Sequence, residues 1–205
     1  MCWNADVSLN TFLFSGFINL LAYYNGVTAT TEFIYFNSFI VMQLLEYFIW
    51  KGYNNSLVSK FAFITILLQP VFIILCIKEK SKNLILPLLM AYGIGVIALL
   101  IYQPLSKTDF SMTPAANGHL AWNWMKLPLI ILYLSFYIIA IFFYLPDQPF
   151  LISFMIVLLG MSLYYYYTSH TFGTMWCWFA NVAAFYWLYL IARKNKLLCL
   201  KPTAK

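Results

Sequence analysis

The sequence predicts an all-α, polytopic integral membrane protein in which seven transmembrane helices form a single domain. Of its 205 residues, 63% are hydrophobic and only 9% are charged, and the mean hydropathy is +0.80. Soluble domains carry roughly 25% charged residues, so this chain lacks a water-facing surface. Its apolar segments are continuous and each is near the ~20 residues that a bilayer requires. A membrane-spanning strand would instead alternate over about ten residues, so helices are preferred over a β-barrel.

The seven predicted spans follow one another through residues 1–205 without a linker, a repeat or a low-complexity tract. Turn-forming residues separate most of them, as at Asn25-Gly26. One connection, from Pro104 to Lys126, is longer and has the composition of a solvated loop. The predicted spans are approximately 7–24, 33–50, 57–77, 84–102, 127–144, 150–167 and 174–192.

Lysine and arginine placement predicts the orientation. With seven spans, four basic residues lie on the side of the N-terminus, namely Lys51, Lys60, Lys107 and Lys126. The opposite side carries eight, namely Lys78, Lys80, Lys82, Arg193, Lys194, Lys196, Lys201 and Lys205. Because cytosolic loops are enriched in lysine and arginine, we expect the N-terminus outside and the C-terminus in the cytosol. These charges lie between apolar segments and form no nucleic-acid footprint.

A line of small polar residues marks the first span. Ser8, Thr11, Ser15 and Asn19 recur at spacings of three and four, which places them on one helix face. Asn181 occupies the last span. Small polar side chains commonly hold membrane helices together, so packing is the simplest role for each. Together they predict a bundle with a polar interior.

The second span contains the sharpest functional feature. Gln43, Glu46 and Trp50 share one helix face, and Glu46 is the only carboxylate well inside a predicted apolar segment. An ionisable residue at that depth indicates a ligand site, a proton carrier or a buried ion-pair partner. The alternative is a structural hydrogen bond to a neighbouring helix.

Unusual residues gather at the predicted outer end. Both histidines, His119 and His170, lie there with six of the seven tryptophans, including Trp176. An aromatic belt would explain single tryptophans, but the inner interface has tyrosines and no tryptophan. The asymmetry favours an outward-opening pocket. The residues predicted to bind a ligand or a proton are Ser8, Gln43, Glu46, Trp50, Trp176 and Asn181.

Three short blocks resemble a family of small bacterial membrane proteins that begin Met-Cys-Phe-Ser-Ala. That family also has a Gln-x-x-Glu-x-x-x-Trp element and, in its last helix, a Gly-x-x-Trp-Cys element. The matching residues are Met1, Cys2 and Ala5, then Gln43, Glu46 and Trp50, then Gly173, Trp176 and Cys177. The chain departs from the pattern at Trp3, Asn4 and Tyr47. The resemblance implies a shared architecture and site, and it names no reaction.

The cysteines and histidines allow three interpretations. Cys2 and Cys177 could form a disulfide on the oxidising side. Alternatively, Cys2, His119 and His170 could hold zinc or another transition metal, although no compact ligand motif is present. In the third interpretation the metal hydrolyses lipid, with Asp109, His119 and Ser8 or Ser111 acting as in seven-helix hydrolases of ceramide type.

The sequence therefore predicts a membrane protein that binds or transports a small ligand, a lipid headgroup or an ion around Glu46. The alternative is a membrane-embedded, metal-dependent hydrolase. The expected partners are the lipid bilayer and a small molecule or ion, without nucleic acid. A retinal protein is excluded because residues 172–191 contain no lysine, and no potassium-channel filter is present. The sequence identifies no catalytic residue and no oligomeric state.

Overall fold

Seven α-helices form the protein in the computed structural model, which describes residues 3–145 and 149–195. The helices are α1 Ala5–Tyr24, α2 Thr30–Trp50, α3 Asn55–Leu75, α4 Ile85–Tyr102, α5 Leu127–Tyr144, α6 Pro149–Tyr166 and α7 Trp176–Lys194. The prediction of an all-α chain is confirmed, and the predicted spans differ from the helix bounds by no more than three positions. The largest difference is at α2, which begins at Thr30 rather than Phe33.

Among the described residues, five helices are long and apolar enough to cross a membrane. They are α1, α2, α3, α5 and the segment Lys80–Tyr102, which includes α4. In α6, Met155–Tyr166 is a shorter apolar segment. The segment Lys80–Tyr102 has the highest mean hydropathy of the five, yet only 11% of its most apolar stretch of 18 residues is buried inside the protein. A helix that exposes this much apolar surface needs a nonpolar surrounding, which supports a membrane protein.

The helices pack in a defined order. α1 contacts α2 and α7, α2 contacts α3, and α3 contacts α4 and α5. α6 approaches α5 closely at few positions and is joined to α7 through a 3-10 turn, Phe172–Met175. We call the end that holds the α1–α2 turn the inner end, and the end that holds residues 103–126 the outer end. A gap is left between α6 and the rest of the bundle.

The connection between α4 and α5 is a solvated loop only in part. Strands β1 Met112–Pro114 and β2 Leu120–Trp122 form an antiparallel hairpin that pairs Met112 with Trp122. Ser106, Lys107 and Asp109 are exposed, as expected for such a loop. Trp122, Trp124 and Leu120 are instead fully buried in the bundle. The Asn55 amide anchors the hairpin to α3, because it donates to the Met112 carbonyl at 2.7 Å and accepts from the Met112 amide at 2.9 Å.

Candidate functional site

Glu46 lies at the centre of a buried cluster near the outer end. It is 0% exposed, and Gln43, one turn away on α2, is 1% exposed. The indole of Trp122 lies within interaction range of the Glu46 carboxylate. Within the described residues, the Trp122 N–H makes no hydrogen bond of normal geometry. Trp122 also stacks on Trp124, with ring centroids 5.3 Å apart and planes 15° apart. Trp124 packs in turn against Phe63, with ring centroids 5.8 Å apart.

The turn after α6 completes this cluster. The Trp122 amide donates to the His170 carbonyl at 3.0 Å. His170 has a left-handed backbone, with a φ of 55°, which reverses the chain towards Gly173. Gly173 lies directly against the Trp122 ring. Trp122 thus lies where three segments with predicted site residues meet. These are the Glu46 face of α2, the connection after α4 and the turn at His170. We use the name outer cluster for the following residues: Gln43, Glu46, Trp122, Trp124, His170 and Gly173.

Close packing at Gly173 predicts a strong effect of one added methyl group. A Cβ at this position would overlap the six-membered ring of Trp122. We expect Gly173→Ala to lower the free energy of unfolding by about 2 kcal/mol, because overpacking a rigid ring forces the backbone to shift. Thermal unfolding in detergent measures it, with Gly160→Ala as the control because its Cβ would meet nothing within 4 Å. Equal unfolding temperatures for the two variants would contradict the packing described here.

His119 is buried beside α6, and among the described residues it belongs to no group of three side chains that could hold a metal. Its ring lies edge-on to Tyr166 at 5.9 Å, and its Nδ1 has no hydrogen-bond partner among the described residues. Burial lowers the pKa of His119 below its usual value, because desolvation disfavours the charged ring.

A lowered pKa of a histidine makes stability fall on acidification. Below ~pH 6.5, the usual pKa, the unfolded chain takes up a proton that the native chain resists, so folding loses free energy until both states are protonated. We expect the unfolding temperature to drop by a few degrees between about pH 7.5 and pH 5.5. His119→Gln should reduce this drop, whereas Lys126→Gln, in the same outer segment, should leave it unchanged. An identical pH profile for His119→Gln would refute the assignment.

The other predicted site residues have separate surroundings. Ser8 donates to the Asn4 carbonyl at 3.1 Å, and Trp50 is half-buried against the core. The Asn181 amide joins α7 to α1, because it donates to Thr11 at 3.4 Å and accepts from Ser15 at 3.2 Å. This geometry gives Ser8 and Asn181 roles in packing.

The disulfide and metal hypotheses depend partly on residues whose side chains lie outside the described part of the chain. Cys2 lies outside the described residues, and so do the side chains of Trp176 and Cys177. Within residues 3–145 and 149–195, no three side chains of the His, Cys, Asp and Glu types come together. The described part of the chain therefore gives the metal hypothesis no support.

A second feature, which sequence reasoning missed, is a cavity of about 280 Å³ in the gap between α2, α5, α6 and α7. We call it the inner cleft. Its polar end lies at the inner end of the bundle, where Thr28, Glu32, Lys78 and Tyr144 line it. Most of the remaining wall is apolar or aromatic, including Phe36, Phe39, Ile141, Met155 and Trp187. The inner cleft and the outer cluster occupy opposite ends of the bundle.

Tyrosine hydroxyls organise the wall of the inner cleft. Tyr144 donates to the Glu32 carboxylate at 2.8 Å. One turn deeper, Tyr35 donates to Tyr137 at 2.8 Å. Deeper still, Tyr133 donates to the Gln69 side chain at 2.7 Å, and Gln69 donates to the Ser38 carbonyl at 3.1 Å. These bonds hold α2, α3 and α5 together and fix the orientation of each ring.

The sequence carried a weak signal for this cleft. Glu32 stands just before the predicted second span and resembles a helix-capping residue, and its carboxylate does accept a bond from the Ala29 amide at 2.8 Å. Tyr133, Tyr137 and Tyr144 follow each other at spacings of four and seven, which places them on one face of α5. That spacing, matched with Tyr35 on α2, is the pattern that could have predicted the wall.

In the described residues, the fold is a helical bundle with several helices apolar enough to cross a membrane, a buried aromatic cluster near the outer end and a cavity at the inner end. Comparison of the chain with protein-family models, with curated proteins and with solved structures gives no match. The function is therefore argued from the residues of this chain alone.

Proposed function

We propose that this protein binds a small amphipathic molecule in the inner cleft and carries it across the membrane. The single observation that carries the proposal is the cleft itself, an elongated cavity with an apolar wall and a polar end. Pockets for small ligands commonly have such a wall with a few polar groups that fix orientation. Its volume of about 280 Å³ suits a small molecule. A lipid with two acyl chains would not fit.

The proposal includes seven membrane crossings, with the N-terminus outside and the C-terminus in the cytosol. Successive helices run in opposite directions, so the ends of α1 and α7 lie on the same side. The Lys194 ammonium supports this arrangement, because it donates to the Asn25 and Gly26 carbonyls at 2.6 and 3.1 Å. Arg193 and Lys194 also form the last turn of α7, as expected for a cytosolic helix end.

The proposal of transport is supported by a difference between the two ends of the bundle, since the outer end is packed and the inner end holds a cavity. The outer cluster closes one end with stacked indoles, while the inner cleft reaches the loops at the other end. Carriers alternate between such states around a site near the midplane. Glu46 and Glu32 lie on one face of α2, about 21 Å apart along its axis. When the outer cluster opens, Glu46 would face the ligand from the other side.

Movement is plausible at two places in the bundle. α6 approaches α5 at few backbone positions, although Ile152 and Leu159 on α6 are buried in the core. Pro70 lies inside α3, where it removes one helix hydrogen bond. The Tyr92 hydroxyl donates to the Leu67 carbonyl at 2.8 Å beside this point. A proline inside an otherwise continuous helix favours a kink there, and we propose that α3 bends at this point during transport.

Two probes of equal shape test the proposal. Benzyltrimethylammonium and the neutral neopentylbenzene should be titrated into the full-length protein in lipid nanodiscs. We expect saturable binding of at least one probe at one site per chain. Ala183→Phe should abolish binding, because Ala183 lines the inner cleft. Ala98→Phe, on the exposed face of α4, should not affect it. Binding of neither these probes nor the anion phenylacetate, or equal binding by both variants, would reject the inner cleft as a ligand site.

Flux and topology are measured separately. The probe that binds should enter proteoliposomes faster than it enters empty vesicles, and Ala183→Phe should remove the excess. Binding without excess flux would overturn transport and leave a binding protein. Lys60→Cys and Lys194→Cys, each as the single cysteine of its chain, should react with membrane-impermeant thiol reagents from opposite sides of the membrane. Reaction from the same side would contradict the seven-span topology.

A further inference from the structure

We infer that the ligand of the inner cleft is an organic cation whose ammonium group lies between the Glu32 carboxylate and the surrounding aromatic rings. This inference rests on the proposed function and names its substrate class. It uses the charge and the ring geometry of the polar end of the cleft.

Glu32 supplies the negative group. Its two carboxylate oxygens accept hydrogen bonds from the Tyr144 hydroxyl and the Ala29 amide, both at 2.8 Å. Both donors are neutral, and they hold the carboxylate in one orientation. Within the described residues, no ion pair forms at Glu32. A carboxylate that lines a cavity without a cationic partner attracts a cation from solution.

The wall of the cleft that holds Glu32 is rich in aromatic rings. Six of its rings belong to Tyr35, Phe36, Tyr137, Tyr144, Tyr186 and Trp187. The face of an aromatic ring attracts ammonium groups, and quaternary ammonium ions are bound in such cages.

The rings stand at steep angles to one another. Tyr35 and Tyr144 have centroids 6.3 Å apart with planes at 70°, and Phe36 and Trp187 have centroids 4.4 Å apart at 87°. Steeply crossed rings offer faces in more than one direction. Hydrogen bonds of Tyr35 and Tyr144 fix two of these rings before any ligand binds. A prearranged wall loses little entropy on binding.

Lys78 provides a control, because removing its charge should change ligand affinity in the direction opposite to removing that of Glu32. It is exposed and also lines the cleft at the inner end. Its positive charge opposes a cation and favours an anion. Neutralising Glu32 and neutralising Lys78 should therefore change affinity in opposite directions. The two directions reverse if the ligand is an anion.

The experiment compares benzyltrimethylammonium, neopentylbenzene and phenylacetate on the full-length protein in nanodiscs. We expect the cation to bind at least tenfold more tightly than the neutral probe, a difference of about 1.4 kcal/mol. Glu32→Gln should weaken cation binding about tenfold, and Lys78→Gln should strengthen it severalfold. Both changes should shift the affinity of the uncharged neopentylbenzene less than they shift that of the cation. Tyr144→Phe removes one donor to Glu32 but keeps the ring, and we expect it to weaken cation binding less than Glu32→Gln does.

The outcomes separate this inference from the proposed function. Equal affinity for the cation and the neutral probe would overturn the cation assignment and leave the cleft as a ligand site. Tighter binding of phenylacetate, reduced by Lys78→Gln, would replace the cation with an anion. If none of the three probes binds, both proposals fail. Thermal unfolding of each variant confirms that it is folded, and Lys78→Gln tests the sign of the charge effect even if Glu32→Gln does not fold.

Discussion

We expect Trp122→Ala to lower the free energy of unfolding by about 3–5 kcal/mol, the range for removing a large aromatic side chain from a packed core. Trp122 is 1% exposed, stacks on Trp124 and packs against Gly173. Its loss would leave a void against Trp124 and Gly173, while the backbone hydrogen bond from residue 122 to the His170 carbonyl would remain. Thermal or denaturant unfolding in detergent measures the change.

The exposed Trp3 provides the matched control for Trp122. Trp3 is 48% exposed, so Trp3→Ala should change the free energy of unfolding by less than about 0.5 kcal/mol. Trp122→Phe keeps a ring and should recover a large part of the loss. If Trp122→Ala is as stable as Trp3→Ala, the hairpin is not part of the packed bundle.

Glu46→Gln should fold normally and lose at least nine-tenths of the flux of the transported probe. Glutamine preserves the shape of the side chain in a site that is 0% exposed, but it cannot carry a charge or release a proton. An ionisable residue at this depth is expected to act on the ligand or on a coupled proton. Initial uptake rates into proteoliposomes measure the effect, and nanodisc titration shows whether binding at the inner cleft persists.

A surface carboxylate supplies the control for Glu46. Asp109 is exposed in the outer segment, so Asp109→Asn should leave the flux unchanged. If Glu46→Gln transports at the normal rate, the carboxylate serves packing against Trp122 and has no role in transport. If Glu46→Gln loses both flux and thermal stability, its main role is structural.

Helices were predictable because their signal is continuous along the chain. α5 follows the predicted span at both ends, Leu127 and Tyr144, since its apolar run stops at turn residues. The burial of Glu46 and Gln43 also follows from their spacing on one helix face. In both cases, neighbouring residues carry the information.

Tertiary contacts account for what was not predictable. Trp122 and Trp124 stand in a segment with the polar composition of a loop, and only the folded hairpin shows that they enter the bundle. Glu32 forms a cap at the start of α2, and nothing local indicates that Tyr144, more than a hundred positions later, would bond to it. The polar residues of α1 and α7 looked like a pocket lining, yet Asn181 joins Thr11 and Ser15.

The stacked indoles at the outer end have an electrical consequence. A path that admitted water would let ions flow, and each elementary charge gains about 2.3 kcal/mol per 100 mV of membrane potential. Trp122 and Trp124 are 1% and 0% exposed, and Leu120 beside them is 0% exposed, so water does not reach these side chains. A cell could therefore keep many copies of this protein in an energised membrane without a leak current. Single-channel recording of the unmodified protein should show a silent baseline.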